Sequence, residues 1–129
     1  MTGARHAAMP QINSFRDLVV WQKAMDLAVK CYRVSRHLPK DEHAVLGYQI
    51  RKSAVSIPSN IAEGKSRQSI PVYQQHLWIA HGSGGELETQ LEVGARVRLV
   101  SEAEAAALIM DAQEIGKMLR GLISALGRA

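Results

Sequence analysis

Apolar residues recur every three or four positions between Leu18 and Leu38, along two rows. One row is Leu18, Trp21, Met25, Ala28 and Tyr32; the other is Val20, Ala24, Leu27, Cys31, Val34 and Leu38. At about 100° per residue the rows lie side by side, so the apolar arc covers about half of a helix circumference. An ordinary surface helix needs a stripe only a little wider than ~100°. The pattern predicts a helix from Ser14 or Phe15 to His37, capped by Ser14, with Asp17 at the positive end of its dipole. Such a helix needs neighbours on two sides. Pro39 closes it and pushes Leu38 toward extended geometry.

Three further amphipathic stretches follow. Asp41 is placed to cap a helix from Glu42 to Gly64 with the apolar row Gly47, Ile50, Ala54, Ile57 and Ile61. Pro58 falls inside that row, deletes one backbone hydrogen bond and crowds the Ala54 carbonyl, which predicts a kink. Gly64 reads as the helix stop, and Asn60 and Glu63 as braces for backbone groups freed around Pro58. Ser69 caps a third helix with Pro71 in its first turn and the row Tyr73, Leu77, Ala80, Gly84, Leu87, Leu91 and Gly94. Within it, Gly82-Ser83-Gly84-Gly85 is costly, at roughly 0.8–1 kcal/mol per glycine relative to alanine. The 3/4 rhythm runs through the cluster in phase, which predicts an unbroken helix approached closely by another backbone. Ser101-Glu102-Ala103-Glu104 is a capping box opening a fourth helix, with the seam Leu108, Ala112, Ile115, Leu119, Leu122 and Leu126. Four helices with short connectors predict an all-α, antiparallel up-down four-helix bundle. Residues 14–129 form that domain, and residues 1–13, without periodicity, form an N-terminal arm.

The 129 residues are enough for one core and too few for two. Aromatics are only 5%, so the core is aliphatic and Ala-lined, as in close helix packing and unlike a β-sandwich. No stretch approaches the roughly 20 apolar residues of a membrane span, and the start of the chain has no apolar signal region. The single cysteine, Cys31, has no partner for an internal disulfide. These features place the protein in the cytoplasm, with no membrane contact. Net charge is +4, and its distribution is uneven. Up to Arg67 there are 11 Lys and Arg against 5 Asp and Glu, whereas from Gln68 onward there are 5 against 7.

Candidate chemistry is sparse. Gly64-Lys65-Ser66 has the ending of a phosphate-binding loop, but Ser59 stands where the motif needs glycine and no strand precedes it. No glutamate is followed three residues later by histidine, the signature of di-iron bundles. His76 and His81 point about 140° apart on a helix, and Cys31 sits among apolar residues that would not stabilise a thiolate. No catalytic set, metal site or cofactor site is predicted. The remaining candidate is a basic face. Arg16, Lys23, Lys30 and His37 recur every seven residues, with Arg33 and Lys40 alongside, opposite the apolar arc and interrupted by Asp26. Arg51, Lys52, Lys65 and Arg67 add charge from the second helix and its exit. Such a stripe can neutralise phosphates of RNA or DNA. No aromatic is interleaved with it, which predicts little sequence preference.

Three segments resemble the bacterial four-helix-bundle proteins encoded in intervening sequences of 23S rRNA genes. They are Phe15-Arg16-Asp17-Leu18-Val19-Val20-Trp21-Gln22-Lys23-Ala24, Leu38-Pro39-Lys40-Asp41-Glu42, and the run from Gln49 to Gly64, whose Ser56-Ile57-Pro58-Ser59-Asn60-Ile61-Ala62-Glu63-Gly64 is the most specific block. The segment Gly82-Ser83-Gly84-Gly85-Glu86-Leu87-Glu88-Thr89-Gln90-Leu91 is similar too, apart from Gly84-Gly85, where the family more often has a larger residue. The resemblance implies a left-handed bundle that assembles into a ring, typically a homopentamer. A related branch, the accessory protein of diversity-generating retroelements, is a basic pentamer that binds nucleic acid and a reverse transcriptase. The combined expectation is a non-enzymatic, oligomeric RNA- or DNA-binding accessory protein. The alternative is an interaction ring that docks a protein without nucleic acid.

Overall fold

The structure is a computed structural model and describes residues 14–128. The arm expected over residues 1–13 lies outside them. Four long helices follow one another: α1 (Val19–Arg36), α2 (Leu46–Ser66), α3 (Ile70–Arg96) and α4 (Glu102–Gly127), with 3-10 turns at Phe15–Asp17 and Lys40–Glu42. Each packs on its neighbours in the chain, and α4 closes back on α1. The cross-links run antiparallel. Ser56 meets Ser83 while Asn60 meets His76, and Lys23 meets Glu114 while Lys30 meets Asp111. This is the predicted all-α up-down bundle.

The inward rows are those of the sequence pattern. Val20, Ala24, Leu27, Cys31, Val34 and Leu38 from α1 and its exit meet Ile50, Ala54, Ile57 and Ile61 from α2. Leu77, Ala80, Leu87 and Leu91 from α3 and Leu108, Ala112, Ile115 and Leu119 from α4 complete the core. Side chains of this size remove water from close helix contacts, each contributing about 1.5–3 kcal/mol when buried as Leu or Ile. The last turns of α4 differ from the expected seam, because Ile123 is buried whereas Leu122 and Leu126 are only half-buried. A straight helix turns by 3.6 residues, so a strict 3.5-residue seam drifts off the core by about 20° per heptad.

Two helix starts lie later than predicted. Ser14 caps the 3-10 turn instead of α1, its side chain accepting from the Arg16 amide. Leu18 is extended before the α-helix begins at Val19. Asp41 sits inside the second 3-10 turn, so α2 begins at Leu46 without a side-chain cap. The Ser69 and Ser101 caps form as expected, accepting from the Val72 and Glu104 amides.

Glycine also acts differently from the sequence expectation. Helix α2 continues through Gly64 to Ser66, and Gly64 is a contact point. A Cβ there would lie 2.8 Å from the His76 Cβ and 3.2 Å from the Tyr73 carbonyl oxygen. Helix α3 is unbroken through Gly82–Gly85, as predicted. Yet no atom lies within 4 Å of a Cβ built at Gly82, Gly84 or Gly85, so no backbone of this subunit makes the close approach. Those glycines instead floor an open cleft of about 320 Å³ between α3 and α4, rimmed by His81, Glu88, Lys117 and Arg120.

Candidate nucleic-acid interface

The two sides of α1 have different fates. Toward α4, Lys23 and Lys30 reach across a thin seam to Glu114 at 3.2 Å and Asp111 at 3.1 Å. All four side chains are partly exposed, so each pair is worth at most about 1 kcal/mol. Electrically, however, each lysine is neutralised where it stands. Beneath them Cys31 is fully buried, and its thiol is pushed up to about 12 by burial first and Asp111 second, with Lys30 opposing. The predicted continuous stripe is therefore divided: Lys23 and Lys30 serve the α1–α4 contact.

Toward α2, the second apolar row of α1 has no complete cover. Ala28 is buried and Trp21 is half-buried against the core, whereas Met25 and Tyr32 are exposed at 38% and 42%. With Val29 they form one wall of a groove of about 660 Å³. Val55, Pro58, Ser59 and Ala62 of α2 form the other, and Phe15 closes one end. Helix α1 thus has α4 on one side and α2 on the other, but Met25 and Tyr32 of its second apolar row stay partly uncovered within the bundle.

Arg16, Arg33 and Arg36 line the same groove, and none of its lining residues is acidic. Helical register explains Arg33 and Arg36, which lie about 60° and 120° from Lys30, on the Tyr32 side. Arg16 arrives there for another reason. It belongs to the 3-10 turn, and the extended Leu18 uncouples it from the register of α1. Its guanidinium lies 4.7 Å from the Phe15 ring centroid, and Phe15 meets Trp21 edge-on at 5.3 Å. Arg51, on α2, reaches to 5.9 Å from the Tyr32 ring centroid while its other donors hold the His43 carbonyl oxygen at 3.2 Å and Ser35 Oγ at 3.4 Å. Lys52 lies 5.9 Å from the ring centroid of the exposed Tyr48. Aromatic rings and cations are thus interleaved on this face, contrary to the sequence expectation. Trp21 and Tyr32 were hidden in that expectation because their spacing places them in a core row, and Arg36 because it falls outside the seven-residue repeat.

The other candidates separate from the groove. Lys40 is exposed on the second 3-10 turn, and Lys65 is half-buried near the end of α2. Arg67 pairs with Glu63 at 2.7 Å, a contact within one helical turn and its exit. Glu63 is therefore no brace for Pro58. Asn60 does brace, but not at the carbonyl that Pro58 frees. Its amide donates to the Ser56 carbonyl at 2.9 Å and to Ser56 Oγ at 3.1 Å, leaving its oxygen to accept from His76 Nδ1 at 3.1 Å. Ser56 in turn meets Ser83 at 2.7 Å. This polar chain joins α2 to α3 beside the Gly64 contact and fixes their register. Pro58 is buried within α2, which runs on through it, and one edge of its ring lines the groove.

Among the described residues no three His, Cys, Asp or Glu side chains gather as a metal-ion cluster, and no helix is long and apolar enough to cross a membrane. The architecture defines a small four-helix bundle with an aromatic and arginine-lined groove that has no acidic residue among those lining it. The chain belongs to the 23S rRNA-intervening sequence proteins, the family that it matches over residues 16–121. A crystal structure of a protein of unknown function from the S23 ribosomal protein family of Bacteroides thetaiotaomicron is similar, with a TM-score of 0.77 and 29% identity, over 81% of this chain and 98% of that one. No curated protein matches the chain.

Proposed function

We propose that this protein is a non-enzymatic nucleic-acid-binding accessory protein of the cytoplasm that works as a homo-oligomer. The observation that carries this reading is the α1–α2 groove, which Arg16, Arg33 and Arg36 line with no carboxylate among the lining residues. Three cations in one concave, acid-free surface raise the local positive potential and suit a polyanion more than a neutral ligand. The uneven charge of the chain, basic up to Arg67, supports the same face. Affinity in this reading comes from phosphate contacts and falls steeply with salt.

Self-association rests on a different face. The glycine-floored α3–α4 cleft leaves room for a helix of another copy to approach α3 closely, beside the exposed Trp78 and Ile79. A ring built this way uses two different patches of each subunit, and family resemblance makes five subunits the expected number. The second reading, a protein-interaction ring, is favoured by the apolar walls of the α1–α2 groove, which would equally suit an acidic amphipathic partner. Gel-shift titration against generic RNA and DNA at two salt concentrations tests the first reading. Binding at low salt that weakens at high salt supports it; absence of binding at low salt defeats it. A protein partner retained after nuclease treatment would favour the second.

A further inference from the structure

Resting on the nucleic-acid reading above, we infer that the α1–α2 groove takes unpaired bases, making single-stranded nucleic acid the preferred ligand over duplex. Phosphate recognition alone needs cations on a surface, and a duplex presents its phosphates on a convex, rigid wall with its bases stacked inside. This site has a different form. It is a concave groove of about 660 Å³ with aromatic side chains along its length and arginines among them. Phe15 and Trp21 lie edge to face at one end, and Tyr32, 42% exposed, lies farther along α1 beside Val29. Trp21 and Tyr32 are eleven positions apart, which in a helix at about 1.5 Å per residue is roughly 16 Å, the reach of a few nucleotides and far longer than one base.

The apolar walls from Met25, Val55 and Ala62 give base faces a surface to leave water for. Arg33 and Arg36 flank Tyr32, and Arg16 sits beside the Phe15–Trp21 pair, so both ends of the groove combine a ring with a cation. Accessible rings with guanidinium groups near them and no carboxylate in the lining are what a sequence-tolerant single-strand site requires, because every base has a π-face and every linkage a phosphate. A duplex would have to open to use the rings.

The test uses the full chain and fluorescein-labelled 15-nucleotide oligouridylate, compared with a duplex of equal length at low salt. Single-strand binding at least about tenfold tighter than duplex binding is expected, with Tyr32→Ala removing roughly tenfold from the single-strand affinity and Tyr32→Phe retaining it. In a Trp78→Phe background Trp21 is the remaining tryptophan of the two, and its emission should be quenched by the oligonucleotide. Equal affinity for both ligands, with Tyr32→Ala silent, overturns base stacking and leaves the electrostatic reading standing. Failure of both ligands to bind at low salt overturns both. If Tyr32→Ala or Met25→Asp instead lowers the mass in light scattering, a second copy covers the groove and the single-strand assignment is wrong.

Discussion

Arg98 is the described non-glycine residue with positive φ, at 64°. It ends α3 by turning the chain so that the Leu99 and Val100 amides both donate to the Gly94 carbonyl, at 2.8 and 3.1 Å. L-residues hold this left-handed conformation at a cost of about 1 kcal/mol that glycine escapes. Arg98→Gly should therefore raise unfolding free energy by about 1 kcal/mol in urea titration, without altering oligonucleotide binding. Gly64 is the opposite case. A methyl group there would meet Tyr73 and His76 across the α2–α3 contact, so Gly64→Ala should destabilise by about 1–3 kcal/mol, read as a lowered denaturation midpoint. Its identity was legible in the sequence but its role was not: a glycine near a helix end signals a stop, and only the packing of α3 reveals a near approach. Cys31 was legible as a buried small hydrophobe. Its thiol, pushed up to about 12 by burial, should resist a thiol reagent at neutral pH until the chain unfolds. The sign of the linkage follows: above about pH 9 an unfolded chain ionises this thiol and the folded one does not, so the stability due to the neutral buried thiol declines as pH rises from there toward 12.

Among the elements, α3 carries a local conflict. Gly82, Gly84 and Gly85 weaken a helix that is nonetheless continuous, and the space in front of them is open. Gly82→Ala with Gly85→Ala should stabilise the isolated subunit by about 1–2 kcal/mol through helix propensity. If another copy enters the α3–α4 cleft, the same double variant raises thermal stability while lowering the mass in light scattering; an unchanged mass places self-association elsewhere. The continuity of α3 was readable from its phase, because Tyr73, Leu77, Ala80, Leu87 and Leu91 keep one buried face on both sides of the glycines. Helix starts were less readable. Ser14 and Asp41 have the chemistry of helix caps, but each lies at a 3-10 turn, and a single sequence does not distinguish a capped turn from a capped α-helix. That local detail shapes the groove, since the turn at Phe15–Asp17 delivers Arg16 to its lining.

Over the whole molecule, five of the basic residues on and beside α1 fall into two groups. Lys23 and Lys30 are matched by the acidic residues of α4, joining the two ends of the chain across the thinnest seam of the bundle. Arg16, Arg33 and Arg36 line one groove, at its two ends, with no acidic residue among its lining. A helical wheel of α1 alone could not separate them, because the partners Asp111 and Glu114 are some eighty to ninety positions away in the chain. The broad apolar arc of α1, by contrast, was a whole-molecule signal contained in one helix: it announced a face that the bundle itself does not cover. The proposed nucleic-acid binding therefore rests on a division between a lysine side of α1 that holds α4 and an arginine side left for phosphate.

That division is tested most directly by titrating one labelled single strand at 50 and 200 mM salt (roughly the range over which phosphate contacts are lost) against two variants. Arg16→Gln, Arg33→Gln and Arg36→Gln combined should abolish binding or flatten its logarithmic salt dependence by roughly 0.7 per arginine. Lys23→Gln with Lys30→Gln should leave binding within about twofold of the unaltered protein while slightly loosening the fold, in keeping with exposed ion pairs. Loss of binding in the lysine variant with retention in the arginine variant would contradict the account.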